Sequence, residues 1–400
     1  MFNTIEEAID WIQNRRNTGH TFEHFKNVCD SINNPQNNFY TIHVAGTNGK
    51  GSTVAYLRDL LMNHGYKVGT LQSPHYITHL DRIRVNNKNI PGDVFLKILN
   101  DNYDFYIDND MSMFEIDYLI MCEYFKKENI DFAIVEVGIG GRLDATNVVD
   151  NTKLSIITTI GYDHMELLGD TLEKICKEKC GIIKDNSKLL IGDLPLECKD
   201  VARNEAAKHN SKYYELGSFE NLGNRSFRYE NETYAIGSYA DYQLHNACLS
   251  LKAFKIIAED YGIKESNEII KSSLNNTLWQ NRFEIVKDNP LVILDGAHNI
   301  HGIDAVCKSF DKFNGKKCIV FSALKRKEYK KMVDMLNSHC DELIITSFDN
   351  YGVIDINEFV NYKKYDSYVD AIDYAISNYD VVLICGSLYF LSDVVLNYKF

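Results

Sequence analysis

A glycine-rich turn between a β-prone segment and a helix-prone segment constrains this chain more than any other feature. It lies in Thr41–Thr53, which has the sequence TIHVAGTNGKGST. Gly46, Gly49 and Gly51 let main-chain N–H groups converge on an anion, and Lys50 adds a mobile cation. The helix predicted after the turn directs the positive end of its dipole at the same point. The stretch therefore predicts a phosphate-binding loop.

The spacing of this loop differs from the strict phosphate-binding pattern of nucleoside triphosphatases. Val44 occupies the position of that pattern's first glycine, and Gly51 stands where Ser or Thr follows the lysine. Taken alone, the stretch leaves a second interpretation open, namely a glycine-rich turn without a ligand. Features elsewhere in the chain have to decide between the two.

The composition narrows the class of protein. With 400 residues, of which 45% are hydrophobic, the chain can bury large cores in two or three domains. A formal net charge of −13 argues against non-specific nucleic-acid binding, which needs a basic surface, but is compatible with an anionic small substrate held by local cations. Ten cysteines without a C-x-x-C pair predict reduced thiols. Because the sequence has no leader-like segment and no long apolar run, we expect a cytoplasmic protein without a membrane partner.

The first helix is marked by its cap. Thr4 and Glu7 have the spacing of a capping box, and Ile5, Ala8 and Ile12 fall on one helical face. These features predict a packing helix over residues 4–16.

Apolar runs alternate with helix-prone segments along the rest of the chain. The runs at 132–138 and 153–160 are too apolar for half-exposed strands, which predicts a covered parallel sheet. We expect an irregular region at 217–238 and a connector at 279–290. A second series of apolar runs follows, at 291–297, 317–324, 342–348 and 381–388. This alternation predicts an α/β fold, in which a doubly wound, mostly parallel sheet is followed by a smaller α/β domain.

Polar side chains follow the predicted strands of the first half, at the edge where open α/β sheets bind ligands. Ser73 ends the second strand, Glu136 lies in the third, and Asp163 and His164 follow the fourth. A hydroxyl, a carboxylate and an imidazole at adjacent strand ends are suited to complete the coordination of Mg²⁺ bound to ATP phosphates. Glu136 is the most informative, because a carboxylate in an apolar strand needs a cation or hydrogen-bond donors. A buried salt bridge is the alternative for it.

Three further motifs are less decisive. The segment GIGGRLDATN at 138–147 lacks the third glycine of a dinucleotide-binding fingerprint, so we exclude an NAD site. Lys179 lies on a predicted charged helix, where the pattern alone favours a solvated side chain. Asp295 and His298 come just after an apolar run of the second half, where they are either nucleotide contacts or a cap and turn.

Eight segments, in chain order, resemble the folylpolyglutamate synthase and dihydrofolate synthase family of the Mur ligase superfamily, whose members are ATP-dependent amide-forming enzymes. They are HVAGTNGKGS (43–52), SPH (73–75), MFE (113–115), VEVGIGGRLDATN (135–147), TTIGYDHMELLGDTLEKICKEKCGIIK (158–184), NRFE (281–284), LDGAHN (294–299) and GSLYFLSDV (386–394). The resemblance implies a P-loop, Mur-ligase-like ATP-binding domain over 1–284 and a Rossmann-like glutamate ligase domain over 285–400.

The resemblance also implies a reaction and its residues. ATP phosphorylates a carboxylate of a folate or dihydropteroate substrate, and the amine of L-glutamate then displaces phosphate to form an amide. The implied nucleotide contacts are Thr47, Asn48, Gly49, Lys50, Gly51, Ser52, Asn246, Arg282, Asp295 and His298. The implied metal ligands are Ser73, Glu136, His164 and Lys179. The implied contacts on the pterin side are Phe114, Glu115, Leu143, Asp144 and Ala145.

Among these residues, the resemblance gives direct catalytic roles to Lys50, His164 and Lys179. Lys179 matches a carbamylated lysine of the family, whose added carboxylate would bind a second Mg²⁺ ion. The implied partners are therefore ATP, two Mg²⁺ ions, L-glutamate and a folate-type acceptor, bound by a monomer.

The chain departs from the family pattern at four positions. Gln280 and Asn281 replace Pro and Gly, Ile300 replaces Pro, and Arg326 stands where the family tends to carry Asp. The ATP and metal positions are intact, so the departures concern the glutamate and inter-domain contacts.

Two alternative functions stay open at this point. The first is a ligase of the same superfamily that acts on a cell-wall precursor, but Gly51 counts against it because Ser or Thr usually follows the lysine there. The second is a nucleotide-binding protein without ligase activity, which would be expected to lack Glu136, His164 or Lys179, all of which are present. The motifs do not decide whether the first glutamate, later glutamates or both are added.

Overall fold

Two mostly parallel sheets organise the chain, which a computed structural model describes over residues 1–15 and 21–400. The predicted α/β class is confirmed. One compact unit comprises Met1–Ser218 and Asn246–Leu274, and the other comprises Phe219–His245 and Asn275–Phe400. Within the described residues, no helix is both long and apolar enough to cross a membrane. The boundary expected between residues 284 and 285 stays a prediction.

The strands are β1 (Tyr40–Ala45), β2 (Val68–Leu71), β3 (Ile83–Val85), β4 (Lys88–Asn89), β5 (Phe132–Glu136), β6 (Leu154–Ile157), β7 (Lys188–Ile191), β8 (Lys212–Glu215), β9 (Glu220–Gly223), β10 (Ser226–Tyr229), β11 (Glu232–Ala235), β12 (Arg282–Asp288), β13 (Leu291–Asp295), β14 (Lys317–Phe321), β15 (Glu342–Thr346), β16 (Lys363–Tyr365) and β17 (Val381–Cys385).

The α-helices are α1 (Ile5–Gln13), α2 (Phe22–Ser31), α3 (Lys50–Asn63), α4 (Gly92–Asp101), α5 (Tyr103–Asp108), α6 (Met113–Glu128), α7 (Met165–Leu168), α8 (Leu172–Cys180), α9 (Leu196–Lys208), α10 (Asp241–Tyr261), α11 (Asn267–Asn276), α12 (Ile300–Phe310), α13 (Tyr329–Asn337), α14 (Tyr368–Asn378) and α15 (Leu388–Asn397). Short 3₁₀ helices lie at Pro35–Asn38, His79–Arg82, Ala145–Val148 and Ile356–Glu358.

The sheet of the first unit has the strand order β4-β3-β2-β5-β1-β6-β7-β8. The neighbouring strands β2, β5, β1, β6, β7 and β8 are parallel to one another. At one edge, β3 pairs antiparallel with β2, and β4 pairs antiparallel with β3. The strands β2 to β5 all lie on one side of β1, and β6 is the first strand on its other side. The order therefore reverses at β1, and a doubly wound sheet binds ligands beyond the carboxyl ends of the strands at such a point.

The sheet of the second unit has the order β12-β13-β17-β14-β15-β16 and is parallel except at β12. Its central strands are apolar on both faces because each face carries a helical layer. In β17, Val381 and Leu383 belong to one hydrophobic cluster and Val382 and Ile384 to the other. This two-sided burial explains why the sequence shows apolar runs there instead of alternation.

Two sequence expectations about loops are wrong. The segment 217–238 contains a three-stranded antiparallel sheet with the order β11-β10-β9, whose turns at 224–225 and 230–231 each contain an Asn. The expected connector at 279–290 contains β12, which pairs antiparallel with β13. Neither segment forms a continuous apolar run, because β9 is exposed along its whole length and β12 is mostly half-buried.

Predictions from local chemistry are confirmed for the first helix and for the thiols. Thr4 caps α1, and Thr4 and Glu7 form the reciprocal bonds of a capping box. The last residue of the helix predicted there, Arg16, lies outside the described residues. All ten cysteines are free, and all except Cys340 are buried.

Candidate functional site

The glycine-rich turn joins β1 to α3, as the sequence predicts, and its glycines are required by close contacts. A Cβ atom at Gly46 would lie 1.9 Å from Thr158 Oγ1, and one at Gly49 would lie 2.4 Å from Asn246 Oδ1. Gly49 also has a φ of +86°, which favours glycine. The turn is thereby packed between the segment after β6 and the part of α10 that belongs to the same unit.

The first turn of α3 presents main-chain donors next to a cation. Gly49 is the N-cap residue, and no side chain caps the helix. The first N–H groups of an α-helix have no partner within the helix, so those of Lys50, Gly51 and Ser52 are suited to bind an anion. The Lys50 ammonium group donates to the carbonyl oxygens of Gly46 at 3.1 Å and Thr47 at 3.4 Å. These two bonds hold the Lys50 ammonium group over the turn.

A second loop, at 158–161, holds the turn in place. The N–H of Thr47 donates to the carbonyl of Thr159 over 2.8 Å, and that of Asn48 donates to Thr159 Oγ1 over 3.1 Å. The hydroxyl of Thr158 donates in return to the Asn48 carbonyl over 2.6 Å. The sequence pattern does not single out these threonines as part of the site, although they follow an apolar run directly.

The segment after β2 approaches the same turn. Gln72 Nε2 donates to the Gly51 carbonyl over 3.3 Å, and the predicted ligand Ser73 is the next residue. Ser73 is half-buried and lies two residues beyond the last residue of β2. Its hydroxyl thus stands at the carboxyl edge of the sheet.

Glu136 and Lys179 are both buried near this edge. Glu136 is the last residue of β5, is 6% exposed and pairs in register with Val44 of β1. Lys179 is 5% exposed, so the solvated side chain that its pattern favours is wrong. Burial, followed by repulsion from the Lys50 charge, lowers the pKa of Lys179 to about 7, while Asp163 acts in the opposite direction. The amine therefore lies within electrostatic range of Lys50 in the glycine-rich turn.

His164 and Asp163 lie between the end of β6 and α7. His164 adopts the left-handed conformation, with a φ of 51°, and is half-buried. Its Nε2 atom is 3.9 Å from Asp163 Oδ1. Asp163 is not among the metal ligands that the resemblance implies, but its electrostatic effect on Lys179 makes it a further candidate site residue.

The donors at this edge suit a magnesium ion that is shared with a nucleotide. In the described ranges, 1–15 and 21–400, no group of three or more His, Cys, Asp or Glu side chains is arranged to hold a metal. Mg²⁺ is usually held by one or two carboxylates together with substrate phosphates and waters, instead of a complete protein cage. The buried Glu136 carboxylate beside the glycine-rich turn fits that mode.

The segment 138–147 is shaped around Asp144. Its carboxylate accepts from the N–H groups of Ile139 at 3.0 Å and Thr146 at 3.0 Å, and from the Thr146 hydroxyl at 2.5 Å. Burial raises the pKa of Asp144 in spite of these donors. Because the Thr146 proton points to Asp144, its oxygen accepts from His43 Nε2 on β1, at 2.8 Å. The predicted contact of Asp144 with substrate stays a prediction, whereas its contacts within the segment are direct.

The other residues expected on the pterin side surround this segment. The Phe114 ring lies against Gly138. Leu143 is 57% exposed, and Ala145 is packed at the border of a hydrophobic cluster. Glu115 closes a capping box at the start of α6, where its Oε2 atom accepts from the Ser112 N–H over 2.7 Å.

The same segment packs onto the helix that carries Lys179. Gly141 lies against the main chain of Lys179 and Glu178. The Arg142 N–H donates to the Glu178 carbonyl over 2.8 Å, and their side chains form an ion pair at 3.0 Å. These contacts explain why Lys179 is buried, although the pattern of α8 gives no sign of it.

In the second unit, Asp295 and His298 follow β13. The Asp295 carboxylate accepts from the Tyr242 hydroxyl and from the N–H groups of Phe283 at 2.9 Å and Ala297 at 2.8 Å. It is 1% exposed, and burial raises its pKa. Arg282, the first residue of β12, is paired in register with Asp295 of β13.

His298 is half-buried beside the same strand end. Its Nδ1 atom donates to the Gly296 carbonyl over 2.8 Å. This bond fixes the ring from one side, and the nucleotide contacts expected of Arg282, Asp295 and His298 stay predictions.

The departures from the family pattern have simple structural settings. Asn281 is buried with a φ of 55°, a conformation that Asn tolerates better than most residues other than Gly. Ile300 is the first residue of α12, where Pro is common because no N–H partner is required. Gln280 is exposed, and Arg326 lies exposed in a turn after β14.

Both parts of the chain match known domain families. Residues 44–254 match the Mur ligase middle domain, and residues 281–388 match the Mur ligase glutamate ligase domain. The first match alone covers more than half of the chain.

Curated and solved relatives agree with these matches. The chain is 33% identical to the dihydrofolate synthase/folylpolyglutamate synthase of Bacillus subtilis, over 98% of this chain and 99% of that protein. A bifunctional folylpolyglutamate synthase/dihydrofolate synthase with Mn, AMPPNP and L-glutamate bound superposes with a TM-score of 0.87, at 25% identity and 98% coverage of each chain. Escherichia coli FolC in complex with DHPP and ADP superposes with a TM-score of 0.88, at 26% identity, over 98% of this chain and 97% of that chain. The chain belongs to the dihydrofolate synthase/folylpolyglutamate synthase family.

Proposed function

We propose that this chain adds L-glutamate to both dihydropteroate and reduced folates through an acyl phosphate. As a member of its family it is an ATP-dependent ligase that joins L-glutamate to a folate-type acceptor. One observation carries the proposal. A glycine-rich turn suited to phosphate binding lies near the buried Lys179, in a chain that aligns with a bifunctional relative over 98% of its length. Of two solved relatives, one holds L-glutamate together with AMPPNP, and the other holds DHPP together with ADP.

Phosphoryl transfer is assigned to the turn between β1 and α3. The turn from Asn48 to Ser52 would cradle the ATP phosphates, with the N–H groups of Lys50, Gly51 and Ser52 as donors, and the Lys50 side chain would neutralise charge on the transferred phosphoryl group. A carboxylate oxygen of the acceptor attacks the γ-phosphorus, which forms the acyl phosphate and releases ADP. The glutamate nitrogen then attacks the acyl carbon, loses a proton, and displaces inorganic phosphate. Asn246, Arg282, Asp295 and His298 are proposed as further nucleotide contacts.

Two Mg²⁺ ions are proposed next to the phosphates. Ser73, Glu136 and His164 would hold one ion, and a carbamylated Lys179 would hold the second. When bound, the ions supply charge neutralisation at the phosphates. The proposal for Lys179 is supported by its 5% exposure, since burying an amine is costly unless its charge is removed or paired. Carbon dioxide would form a bond to Nζ with loss of a proton.

Carbamylation is tested without an activity assay. Protein incubated with isotope-labelled bicarbonate should show a carbamate carbonyl signal by NMR, and Lys179→Arg should lose it. A signal that persists in Lys179→Arg would contradict the assignment.

The pterin side is assigned to Phe114 and the segment 138–147. Phe114 offers an aromatic face against Gly138, and Leu143 offers an exposed apolar side chain. Glu115, Asp144 and Ala145 complete the proposed pocket.

The monomer implied by the resemblance is proposed as the active form of the protein. Sedimentation of the purified protein checks this state.

The acyl phosphate is tested by following oxygen atoms. With an acceptor whose carboxylate carries heavy oxygen, one labelled atom should appear in the released phosphate. Parallel assays with dihydropteroate and tetrahydrofolate test the dual specificity. Unlabelled phosphate would contradict the intermediate, and activity on one acceptor alone would contradict the dual specificity.

A further inference from the structure

A basic turn follows β14 in the second unit. Its first residue, Lys325, comes four positions after the last residue of the strand, and Arg326 follows it. Both side chains are exposed. The main chain is held, because Leu324 forms an antiparallel bridge with Val353 and the Lys325 N–H donates to the Gly352 carbonyl over 2.7 Å. The turn therefore presents two cations from a fixed backbone.

The charges of this turn are not neutralised by their acidic neighbours. Glu328 pairs with Lys331 at 2.6 Å, and Glu358 pairs with Lys330 at 3.0 Å. Among residues 1–15 and 21–400, no carboxylate oxygen lies within 4.0 Å of a side-chain nitrogen of Lys325 or Arg326. The pair is available to an anionic ligand.

The turn lies at the ligand-binding edge of its sheet. The strands β13, β17 and β14 are neighbours, and their last residues, Asp295, Cys385 and Phe321, are in register. Neighbouring strands are about 4.8 Å apart, so Phe321 is about 10 Å from Asp295 along this edge. Open parallel sheets bind ligands at the carboxyl ends of their strands.

We propose that Lys325 and Arg326 bind the γ-linked oligoglutamate tail of a folate substrate and thereby favour substrates with longer tails. This inference rests on the proposed function, because only a ligase that extends folates with glutamate meets such tails. Each added glutamate contributes one free carboxylate, so the tail is a linear polyanion. A chain with a net charge of −13 repels it over most of the surface, whereas two unneutralised cations attract it.

The identity of residue 326 gives this surface its specificity. The family tends to carry Asp there, so Arg changes the local charge by two units, from repulsion to attraction of a carboxylate. An exposed ion pair changes binding by about 1.4-fold to 5-fold. Removing one attraction and adding one repulsion of this size should therefore change binding of a long tail by about 2-fold to 25-fold.

The experiment measures KM and kcat with tetrahydrofolates that carry one, three and five glutamates. The wild-type KM should fall as the tail lengthens, and added salt should weaken this trend because exposed charges are screened. Arg326→Asp should raise KM for the longest tail by about 2-fold to 25-fold and leave kcat and the KM for the single-glutamate substrate unchanged.

Lys88→Asp is the matched control, since it makes the same charge change at an exposed lysine on β4 of the first unit. It should leave every KM unchanged. An equal effect of Arg326→Asp on all tail lengths, an effect on the KM for ATP alone, or a wild-type KM independent of tail length would overturn the inference. The proposed function fails in a different way, by absence of glutamate addition to the single-glutamate substrate.

Discussion

The proposed metal site depends most on the carboxylate of Glu136. Glu136→Gln keeps the size of the side chain but removes its charge. Mutating a residue that only supports a metal ligand typically costs about 10–100-fold in activity, and we expect Glu136→Gln to reduce turnover by more than that. Because Gln fits the same buried position at the end of β5, circular dichroism should be unchanged. Turnover at the wild-type level would remove Glu136 from the metal site.

His43 on β1 links stability to pH. Its ring is fully buried, and burial, followed by repulsion from Lys184, lowers its pKa to about 3. The unfolded chain binds a proton at His43 below about pH 6.5 while the folded chain does not, so stability falls as the pH decreases through this range. Between pH 7 and pH 5, the loss due to His43 is about 2 kcal/mol.

The measurement for His43 compares denaturant unfolding of the wild type and His43→Gln at both pH values. Gln retains a donor for Thr146 but does not titrate, so the variant should lose about 2 kcal/mol less on acidification. Equal losses in both proteins would show that His43 is not the group responsible.

Residue identities predict the groups at the strand ends but not the burial of Lys179. Ser73, Glu136 and His164 stand at strand ends as the sequence predicts, since element order alone determines that edge. The burial of Lys179 depends on the packing of Gly141 onto α8, and these residues are far apart in sequence. Periodicity within one helix contains no information about such a contact.

At the scale of single elements, the turn before β12 tests a departure from the family pattern. Asn281 has a φ of 55°, where Gly costs little and a β-branched residue is strained. We expect Asn281→Val to destabilise the protein by about 1–3 kcal/mol, and Asn281→Gly by no more than about 1 kcal/mol. Thermal midpoints of the two variants check this, and equal midpoints would contradict a conformational role for the position.

Elements with local signals are the ones that the sequence predicts well. The capping box of Thr4 and Glu7 locates α1, and continuous apolar runs locate β5, β13 and β17. The strands β9 to β12 were missed because they are antiparallel. Their solvent-facing residues interrupt the apolar pattern, and their pairing is determined by partner strands instead of by composition.

At the scale of the whole molecule, nucleotide binding should stabilise the fold. A ligand at 100 times its Kd adds about 2.7 kcal/mol to stability. A non-hydrolysable ATP analogue with Mg²⁺ should therefore raise the Tm by several degrees, and chelation of the metal should remove most of the increase. Glu136→Gln should bind the analogue with a weaker dependence on Mg²⁺. An increase that is insensitive to chelation would argue against the proposed metal ligands.

The alternation of strands and helices predicts the α/β class, but not which distant segments share a unit. Phe219–His245 belongs with Asn275–Phe400, although Asn246–Leu274 lies between them in sequence. Such grouping follows from hydrophobic contacts among remote residues, which a local pattern does not encode.

The proposed function requires that ATP cleavage is coupled to amide formation. The most direct test measures inorganic phosphate released by the purified protein with ATP and Mg²⁺, with the folate acceptor and L-glutamate supplied singly and together. We predict sustained release only when both are present, in amounts equal to the glutamylated product. Phosphate released at the same rate without the acceptor would contradict the ligase mechanism.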